Sequence, residues 1–462
     1  MAQLPALLRL SQAIHAVRYE DLPTPVVSRA KELILDTIGC AYGGFDCQVG
    51  EAVRSMATDL GGHAESTVLG SGQRTSMPLA TFVNGTMLRY LDANDYYFGR
   101  DPAHPSGNLA VALAVGEKMG CTGPQLITAL VVAYEVHLRF CEFSGQPTLW
   151  QRGWHHGTNS QFSSAALAAL LLRADPTQTA NAMAISGSHH NTLAAMQSGE
   201  ISMIKATAEA WIAKGGVEAA MLAVRGMTGP LTLLEGKFGW IESVAGEADV
   251  ESIVAPIDGH YRIMNACIKP YPAVAAAMAP IHAAIALHSQ VRDRLHQIKS
   301  VIVKLPSFAI ASPSAKSDRR FPKTRESADH SFFYCVAIAL LEGVCGDAQF
   351  AESNLHNPAL HALLDKTQLE EDPVLSAAWP GAAGGAVIVQ LDDGQVFESR
   401  CRFPPGHPGH PLTDVELRNK FHEYADPVMT ERGASRLMDS IDTIDLCTNM
   451  QEFARQTVSD KR

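Results

Sequence analysis

The sequence predicts a mainly α-helical protein, in which a large all-helical domain is built from both chain ends and a smaller α+β domain lies between them. Few aromatic residues and abundant alanine and glycine are typical of closely packed helices rather than of an all-β protein. Segments rich in β-branched residues, which indicate strands, appear only after about residue 260. A chain of 462 residues also exceeds one ordinary core. We expect the helical domain at 1–265 and 404–462 and the α+β domain at 266–403.

Helical periodicity runs through most of the first 265 residues. Residues 78–90 and 108–119 are expected to be helices, because Pro78 suits a first helical turn and Gly120 suits a helix stop. The tail returns to helix at TDVE, residues 413–416, which is a capping-box pattern. We expect this tail to pack back on the first helices.

Three strands are predicted in the middle of the chain. Residues 298–305 are rich in valine and isoleucine, and residues 385–391 and 395–401 are joined by an Asp-Asp-Gly turn at 392–394, which is typical of a hairpin. A helix is predicted at 331–341. This mixture defines the α+β unit.

Composition and charge exclude several classes of partner. The net charge of −11, without a basic tract, argues against nucleic acid as the main partner. Nine cysteines lie singly, without CxxC spacing, which indicates reduced thiols in a cytoplasmic protein. No signal-peptide pattern opens the sequence and no uncharged apolar stretch reaches membrane-spanning length. We therefore expect a cytoplasmic protein with no membrane partner.

The loop at 91–107, LDANDYYFGRDPAHPSG, lies between two predicted helices of apolar composition. It contains three aspartates and a histidine, which packing between two helices does not require. His104 precedes Pro105, so its backbone is pushed out of the helical region. If Ser106 caps the next helix, His104 lies beside a helix N-terminus, which favours the neutral imidazole that a general base needs. The alternative is a structural acidic loop, in which Asp92 is a capping residue and the histidine makes hydrogen bonds without taking part in a reaction.

Other polar residues occur in similar surroundings. His155 lies in a polar loop before another buried helix, where the alternative is a satisfied core histidine. Lys205 stands among small apolar residues, so it either reaches the surface or meets a carboxylate. A further set is expected to consist of structural histidines, whose loops could still border a pocket, and of solvated loop acids: His156, His189 and His190 in the first group, Asp95 and Asp101 in the second.

Five stretches together resemble one known family, the MmgE/PrpD family, which includes 2-methylcitrate dehydratase, cis-aconitate decarboxylase and iminodisuccinate epimerase. These stretches are LDANDYYFGRDPAHPSG at 91–107, GWHHGT at 153–158, IKATAEAWIAKGGVEAAMLAVRGMTGP at 204–230, IKPYPA at 268–273 and TRESADHSFFYCVAIALLEG at 324–343. They occur in the family's order and span nearly the whole chain.

The resemblance implies a large helical domain with a smaller α+β lid, a homodimer, a small polycarboxylate substrate, and neither metal nor other cofactor. It also implies roles for individual positions. The residues that match the family's pocket are Asp92, His104, His155, Lys205, Lys269 and Tyr334. Two features depart from the family pattern: Tyr96 replaces a common threonine, and the loop between Asp92 and His104 is longer than in the decarboxylase branch. The TRESADHS run is closer to the dehydratase branch.

These residue types suit proton abstraction next to a carboxylate. Lys205 and Lys269 can balance the negative charge that builds on the carboxylate, and a dry pocket strengthens such pairing. A neutral His104 can take the proton, with Asp92 fixing its tautomer. His155, or alternatively Tyr334, can give a proton to the departing hydroxide. Taken with the family resemblance, these residue types lead us to expect a metal-independent lyase, most simply a carbon–oxygen lyase that dehydrates 2-methylcitrate or a related hydroxy-tricarboxylate.

Other functions stay open at this point. Decarboxylation of cis-aconitate or epimerisation of iminodisuccinate would use the same pocket residues. A metal-dependent hydrolase could use Asp92, Asp95, His104 and His155, although no HxH or HExxH spacing supports it. A carboxylate-binding protein without turnover would keep the two lysines and show ligand-induced stabilisation.

Overall fold

The computed structural model describes residues 4–145 and 147–461, and the prediction of a mainly α-helical protein is confirmed. The first 255 residues contain helices that pack directly on one another. Their bounds are α1 Ala6–His15, α2 Thr24–Gly43, α3 Gln48–Leu60, α4 Met77–Tyr90, α5 Gly107–Met119, α6 Gly123–Phe143, α7 Ser160–Leu171, α8 Pro176–His189, α9 Ala208–Ala223 and α10 Val250–Val254.

Sequence signals explain where these helices begin and end. Helix α4 has proline in its first turn, and α6 begins at a capping box in which Thr122 and Gln125 bond reciprocally. Helix α5 ends at Gly120, which adopts the left-handed conformation expected of a glycine stop. Two short antiparallel pairs accompany the helices: β1 Ser66–Thr67 with β2 Arg74–Thr75, and β3 Tyr97–Phe98 with β4 Pro102–Ala103.

The middle of the chain forms a four-stranded sheet covered by helices. The strands are β5 Ile298–Leu305, β6 Thr367–Glu371, β7 Gly385–Leu391 and β8 Val396–Cys401, in the order β6-β5-β7-β8. Strand β6 is parallel to β5, and the other pairs are antiparallel. The associated helices are α11 Met278–Val291, α12 Ser307–Ala311, α13 Arg325–Ala328, α14 Phe332–Glu342, α15 Glu352–Leu355, α16 Pro358–Lys366 and α17 Pro373–Ala378.

The sequence analysis missed strand β6. Its sequence, TQLEE, is polar and lacks the β-branched run that identified β5. It pairs at the sheet edge with Val301 to Leu305, where main-chain bonding rather than side-chain composition decides the structure. The other three strands lie where the sequence predicted them, to within one residue.

The tail consists of α18 Asp414–Ala425, α19 Glu431–Asp442 and α20 Met450–Gln456. Helix α18 packs on α2, and the TDVE sequence forms the expected capping box. A buried ion pair joins these helices: Lys420 Nζ lies 2.5 Å from Asp36 Oδ1 and also donates to the Ala93 carbonyl at 2.7 Å. The tail therefore supports the loop that follows α4.

Buried side chains form two large hydrophobic clusters. One contains residues from α1 through Ile268 together with α18 to α20, and the other contains residues 273–391 together with Tyr96 and Cys267. Of the helices in residues 4–145 and 147–461, none combines the length and apolarity needed to span a bilayer. Within the same ranges all nine cysteines are free thiols.

We expect Lys420→Met to lower the free energy of unfolding by about 3–5 kcal/mol, because the buried Asp36 carboxylate would lose its counter-charge. The double variant Lys420→Met, Asp36→Leu should recover most of this loss, since apolar residues often replace a buried ion pair without cost. Urea unfolding followed by circular dichroism measures both. A stable single variant, or a double variant no more stable than the single one, would contradict this account of how the tail is held.

Candidate active site

Charged side chains from distant parts of the chain meet in the interior between the helices and the α+β unit. None of them is more than 3% exposed. We call them the charged cluster, and its members are Arg89, Asp92, Lys205, Glu209, Lys269 and Asp329. Four histidines adjoin it: His104, His155, His156 and His330. Buried charges are costly unless they are paired, and these side chains are paired with one another. Clusters of buried titratable groups are concentrated at functional sites, so this cluster is the candidate site.

Asp92 reaches the centre of the cluster through an unusual backbone conformation. It follows the last turn of α4 and has a φ of +53°, in the left-handed region that aspartate tolerates better than most residues. Its Oδ1 accepts a hydrogen bond from Arg89 at 3.1 Å. Burial alone would raise the pKa of Asp92, but the cations of Lys205 and Lys269 hold that pKa well below its usual value. Asp92 is therefore an anion at neutral pH.

Lys269 meets Asp92 because two chain segments pair through their backbones. Tyr96 and Cys267 exchange N–H to carbonyl bonds, both 2.8 Å long, which aligns the loop after α4 with the segment that carries the lysine. Lys269 Nζ then donates to Asp92 Oδ2 at 2.7 Å and to the Asp92 carbonyl at 2.8 Å. Burial lowers the pKa of Lys269 to about 8, although Asp92 opposes this shift. Lys269 remains mostly cationic at neutral pH.

Lys205 lies in a 3-10 turn, Met203–Thr207, directly before α9. Its Nζ is 3.2 Å from Asp329 Oδ1 of the α+β unit, 3.1 Å from His330 Nδ1 and 3.9 Å from Asp92 Oδ1. The alternative that this lysine reaches the surface is therefore wrong. Lys205 meets carboxylates from both sides of the interior.

Arg89 and Glu209 complete the cluster. Arg89 Nε is 3.0 Å from Glu209 Oε2, and the guanidinium also donates to Asn94 Oδ1. Glu209 Oε1 lies 3.5 Å from His156 Nε2. Arg89 thus contacts Asp92 directly and is connected through Glu209 to His156, which lies in the loop before α7.

The neighbours of His104 determine which of its nitrogens can act as a base. Its Nδ1 lies 2.7 Å from the backbone carbonyl of Asp95, which can only accept, so Nδ1 carries the proton and Nε2 has the free lone pair. Burial lowers the pKa of His104 well below its usual value, and the charges of Arg89 and Lys269 lower it further. His104 is therefore a neutral imidazole. The expectation that Asp92 fixes this tautomer is wrong, because the Asp95 carbonyl does so.

His155 has the opposite tautomer. Its Nδ1 accepts a hydrogen bond from the Gly157 N–H at 3.0 Å, so a neutral ring carries its proton on Nε2. Burial lowers the pKa of His155 well below its usual value, so the ring is neutral. Among the described residues, this Nε2 has no hydrogen-bond partner although it is buried. Such an unsatisfied donor is available to a ligand.

His156 belongs to the same group of rings. Its ring centroid is 4.0 Å from that of His155 and 5.3 Å from that of His104. Burial, assisted by the charge of Arg89, lowers the pKa of His156 to about 3. His189 and His190 instead bond to carbonyls of their own helix, as expected of structural residues.

The expectation of solvated acids at Asp95 and Asp101 is wrong. The Asp95 carboxylate is buried, where it accepts from the Ser106 N–H at 3.0 Å and from the Tyr134 hydroxyl at 2.7 Å. The Asp101 carboxylate is also buried, and its Oδ1 accepts a hydrogen bond from the Leu149 N–H at 3.1 Å. Burial raises the pKa of Asp95 to about 6 and that of Asp101 to about 7. These buried acids therefore stabilise the conformation of the loop through hydrogen bonds instead of facing solvent.

The cap of α5 also differs from the expected one. Ser106 was expected to cap this helix with its hydroxyl, but that hydroxyl accepts a hydrogen bond from Asn94 Nδ2 at 2.8 Å. The Asp95 carboxylate binds the first free N–H group instead, as an anion at a helix N-terminus does. Hydrogen bonds of Ser106 with Asn94 and Asp95 therefore join the chain after His104 to the beginning of the loop.

Tyr334 is not brought into the cluster. Its hydroxyl donates to the Gln349 carbonyl at 2.8 Å, and its ring stacks on Phe350 inside the α+β core. Tyr96, which replaces the threonine common in the resembling family, is also buried and packs edge-on against Phe98. Both tyrosines contribute packing where the sequence comparison suggested pocket positions.

The residues of the metal-hydrolase alternative do not form one ligand set. In the part of the chain that the structure describes, no group of three or more His, Cys, Asp or Glu side chains is arranged to hold a metal ion. Asp92 faces lysine and arginine, and Asp95 faces a helix N-terminus. This geometry favours binding of an anion by the lysines over binding of a cation by the acids.

Four members of this site were missed by the sequence analysis: Arg89, Glu209, Asp329 and His330. Spacing offered a weak signal for two of them, because Arg89 stands three residues before Asp92 and Glu209 four residues after Lys205. Such spacing is also common on ordinary helix surfaces. Only the tertiary structure distinguishes these buried pairs from exposed ones.

The fold and the site define a mainly helical protein with a buried site of lysines, carboxylates and neutral histidines, suited to an anionic ligand. The MmgE/PrpD N-terminal domain matches residues 8–253, and the MmgE/PrpD C-terminal domain matches residues 271–446. The chain therefore belongs to the MmgE/PrpD family.

Individual relatives are similar over most of their length. Cis-aconitate decarboxylase-like protein oryM of Aspergillus oryzae is 26% identical over 455 residues, covering 94% of this chain and 93% of that protein. Cis-aconitate decarboxylase of Homo sapiens is 26% identical over 455 residues, covering 94% and 92%. 2-Methylcitrate dehydratase of Salmonella typhimurium is 24% identical over 423 residues, covering 85% and 84%. The relatives are thus named for two different reactions.

The buried histidines should make stability sensitive to acid. The pKa of His156 is about 3 in the folded protein and about 6.5 when unfolded, so between these values only the unfolded state takes up the proton. Stability is therefore lost as pH falls. From pH 7.5 to 5.5 the wild type should lose about 1 kcal/mol more stability than His156→Gln does. Urea unfolding at both pH values measures this difference.

The exposed His260 provides the control, because His260→Gln removes a histidine from the surface and leaves the buried site unchanged. That variant should follow the wild-type dependence on pH. Parallel curves for the wild type and His156→Gln would show that His156 does not remain neutral in the folded protein.

Proposed function

We propose that this protein is a metal-independent lyase that dehydrates a small hydroxy-polycarboxylate, 2-methylcitrate or a close relative. One observation carries the proposal: a buried pair of lysines lies beside two neutral histidines of opposite tautomer. Removal of water from a hydroxy acid needs a base for the C–H proton, a donor for the departing oxygen and positive charge for the carboxylate. The lysines of the charged cluster and the histidines that adjoin it provide these three groups.

The lysines bind the substrate's carboxylates. Lys205 and Lys269 are held on Asp329 and Asp92, and an incoming carboxylate takes the place of these protein carboxylates or joins them. In a dry interior each such pair is much stronger than in water. Charge that builds on the carboxylate when the neighbouring C–H bond breaks is thereby stabilised.

His104 takes the proton. Its free Nε2 accepts the C–H proton, and the electron pair of that bond forms the new carbon–carbon double bond as the hydroxyl leaves. The Nε2–H of His155 donates a hydrogen bond to the leaving oxygen. The Asp95 carbonyl keeps His104 in the tautomer that this step requires.

Access requires the two parts of the molecule to separate. The cluster is buried where the helices meet the α+β unit, and bonds cross this boundary at Lys205 with Asp329 and at Ile201 with Thr324 and Ser327. We propose that the α+β unit, 266–403, opens as a lid to admit the substrate.

Decarboxylation of a cis-aconitate-like acid is the second candidate. Relatives named for cis-aconitate decarboxylase align over 93–94% of the chain, against 85% for those named 2-methylcitrate dehydratase. The lysines would then stabilise the carbanion that remains after loss of carbon dioxide, and a histidine would protonate it.

Turnover of 2-methylcitrate, citrate, cis-aconitate and iminodisuccinate, followed by proton NMR in heavy water, tests the proposal. We expect a new alkene signal from 2-methylcitrate or citrate, because the site provides a base and a donor for elimination. Loss of carbon dioxide from cis-aconitate would establish the second candidate instead. Exchange or inversion of iminodisuccinate alone would contradict both.

If His104 is the base, His104→Gln should lower kcat by about 10²–10⁴-fold, the usual contribution of a positioned base. The side chain of glutamine keeps a similar size, so the fold should persist, and the control His260→Gln should keep wild-type turnover. Initial rates on the substrate identified by the panel, with circular dichroism of each variant, provide the measurement. Near-normal turnover by a folded His104→Gln would contradict this role.

A further inference from the structure

The α+β unit contributes its own histidine to the site, and its neighbours resemble those of an acid–base residue. Asp329 accepts a hydrogen bond from His330 Nδ1, so this ring is oriented by a carboxylate and its Nε2 is left for proton exchange. Lys205 Nζ, which the proposed function assigns to a substrate carboxylate, lies 3.1 Å from the same Nδ1. His330 itself is 8% exposed. It is therefore placed directly beside the expected ligand.

The proposed reaction needs an acid that His155 does not supply. A neutral imidazole N–H gives up its proton far less readily than an imidazolium does, so His155 can polarise a leaving oxygen without protonating it. Its Nδ1 is already occupied by the Gly157 N–H, which prevents His155 from becoming doubly protonated without breaking that bond. A second histidine must carry the positive charge.

We propose that His330 is the catalytic acid of this site and that Asp329 is its positioning residue. The proposal rests on the proposed lyase function and identifies its proton donor. Asp329 stabilises the imidazolium form by its negative charge, in the manner of a carboxylate–histidine dyad.

Charged groups from several elements face His330. Asp329 comes from its own loop, Lys205 from the 3-10 turn before α9, and Asp92 from the loop after α4. The rings of His155 and His156 also lie within electrostatic range. Burial and the charge of Lys205 lower the pKa of His330, while Asp329 and Asp92 oppose this shift. Without substrate the ring is therefore neutral.

Substrate binding reverses this balance. A carboxylate bound to Lys205 offsets the cation that disfavours protonation and adds a negative charge near the ring. The pKa of His330 therefore rises, and the ring takes up a proton as the substrate binds. Proton uptake and substrate binding are coupled through Lys205.

In the elimination step, the substrate gives one proton to His104 and receives one proton from His330. His104 takes the proton of the C–H bond, whose electron pair becomes the second bond of the alkene. His330 gives its Nε2 proton to the hydroxyl oxygen, which leaves with the electron pair of the C–O bond as water. Both histidines return to their starting states by exchanging protons with solvent when the product leaves.

Calorimetric titration with tricarballylate, a tricarboxylate without a hydroxyl to eliminate, tests proton uptake directly. Binding enthalpies in phosphate and Tris buffers, whose ionisation enthalpies differ, give the number of protons taken up. At pH 7.5 we expect uptake approaching one proton for the wild type, and a clear loss of that uptake in His330→Gln. The control His356→Gln, which changes an exposed histidine of the same unit, should match the wild type.

The outcomes separate the two proposals. Binding of tricarballylate without proton uptake, or with uptake unchanged in His330→Gln, would overturn the role of His330 and leave the polycarboxylate site intact. Failure of the folded wild type to bind tricarballylate at all would overturn both.

Kinetics provide the second test. His330→Gln should lower kcat by about 10²–10⁴-fold with little change in KM. Asp329→Asn should move the alkaline decline of kcat to lower pH, because the imidazolium loses its stabilising anion. A lower kcat with an unmoved pH profile would show that Asp329 is merely structural, and normal turnover by His330→Gln would overturn the assignment.

Discussion

The buried ion pair between Lys269 and Asp92 is the interaction on which the rest of the site depends. It joins the loop after α4 to the segment that enters the α+β unit, and neither side chain is more than 2% exposed. A charge left alone there would cost several kcal/mol, so folding brings both segments together. The bond from Lys269 to the Asp92 carbonyl also holds the strained, left-handed backbone in place. Stability and active-site geometry therefore have the same origin.

Charge balance explains how so many ionised side chains can be buried together in this site. Three cations of the cluster face three carboxylates, and the adjoining histidines stay neutral because burial lowers their pKa values. A polycarboxylate that enters must displace protein carboxylates from Lys205 and Lys269 or bring protons with it. We propose that opening of the α+β unit and protonation of His330 are two parts of one binding event.

Sequence patterns predicted much of the fold because local signals and tertiary structure agree there. The β-branched run of β5 and the glycine stop after α5 are examples. The small apolar neighbours of Lys205 indicated that it could meet a buried carboxylate, whereas only the family resemblance pointed to Lys269. The resemblance also pointed to Tyr334, which lies in the α+β core, where its hydroxyl donates a hydrogen bond to the Gln349 carbonyl. Burial was the hardest property to predict: Asp95 reads as a solvated loop acid, and Glu209 as one residue of a helix, until distant segments cover them. The division into domains at 265 and 404 stays a prediction.

A crystal structure of the protein with tricarballylate bound would show whether the two buried lysines bind the ligand's carboxylates. We expect ligand carboxylates within hydrogen-bond distance of Lys205 Nζ and Lys269 Nζ, with Asp329 or Asp92 displaced from its present contact. Tricarballylate bound elsewhere, for example in the surface groove lined by Arg18 and Arg173, with both buried lysines still held by their own carboxylates, would contradict it.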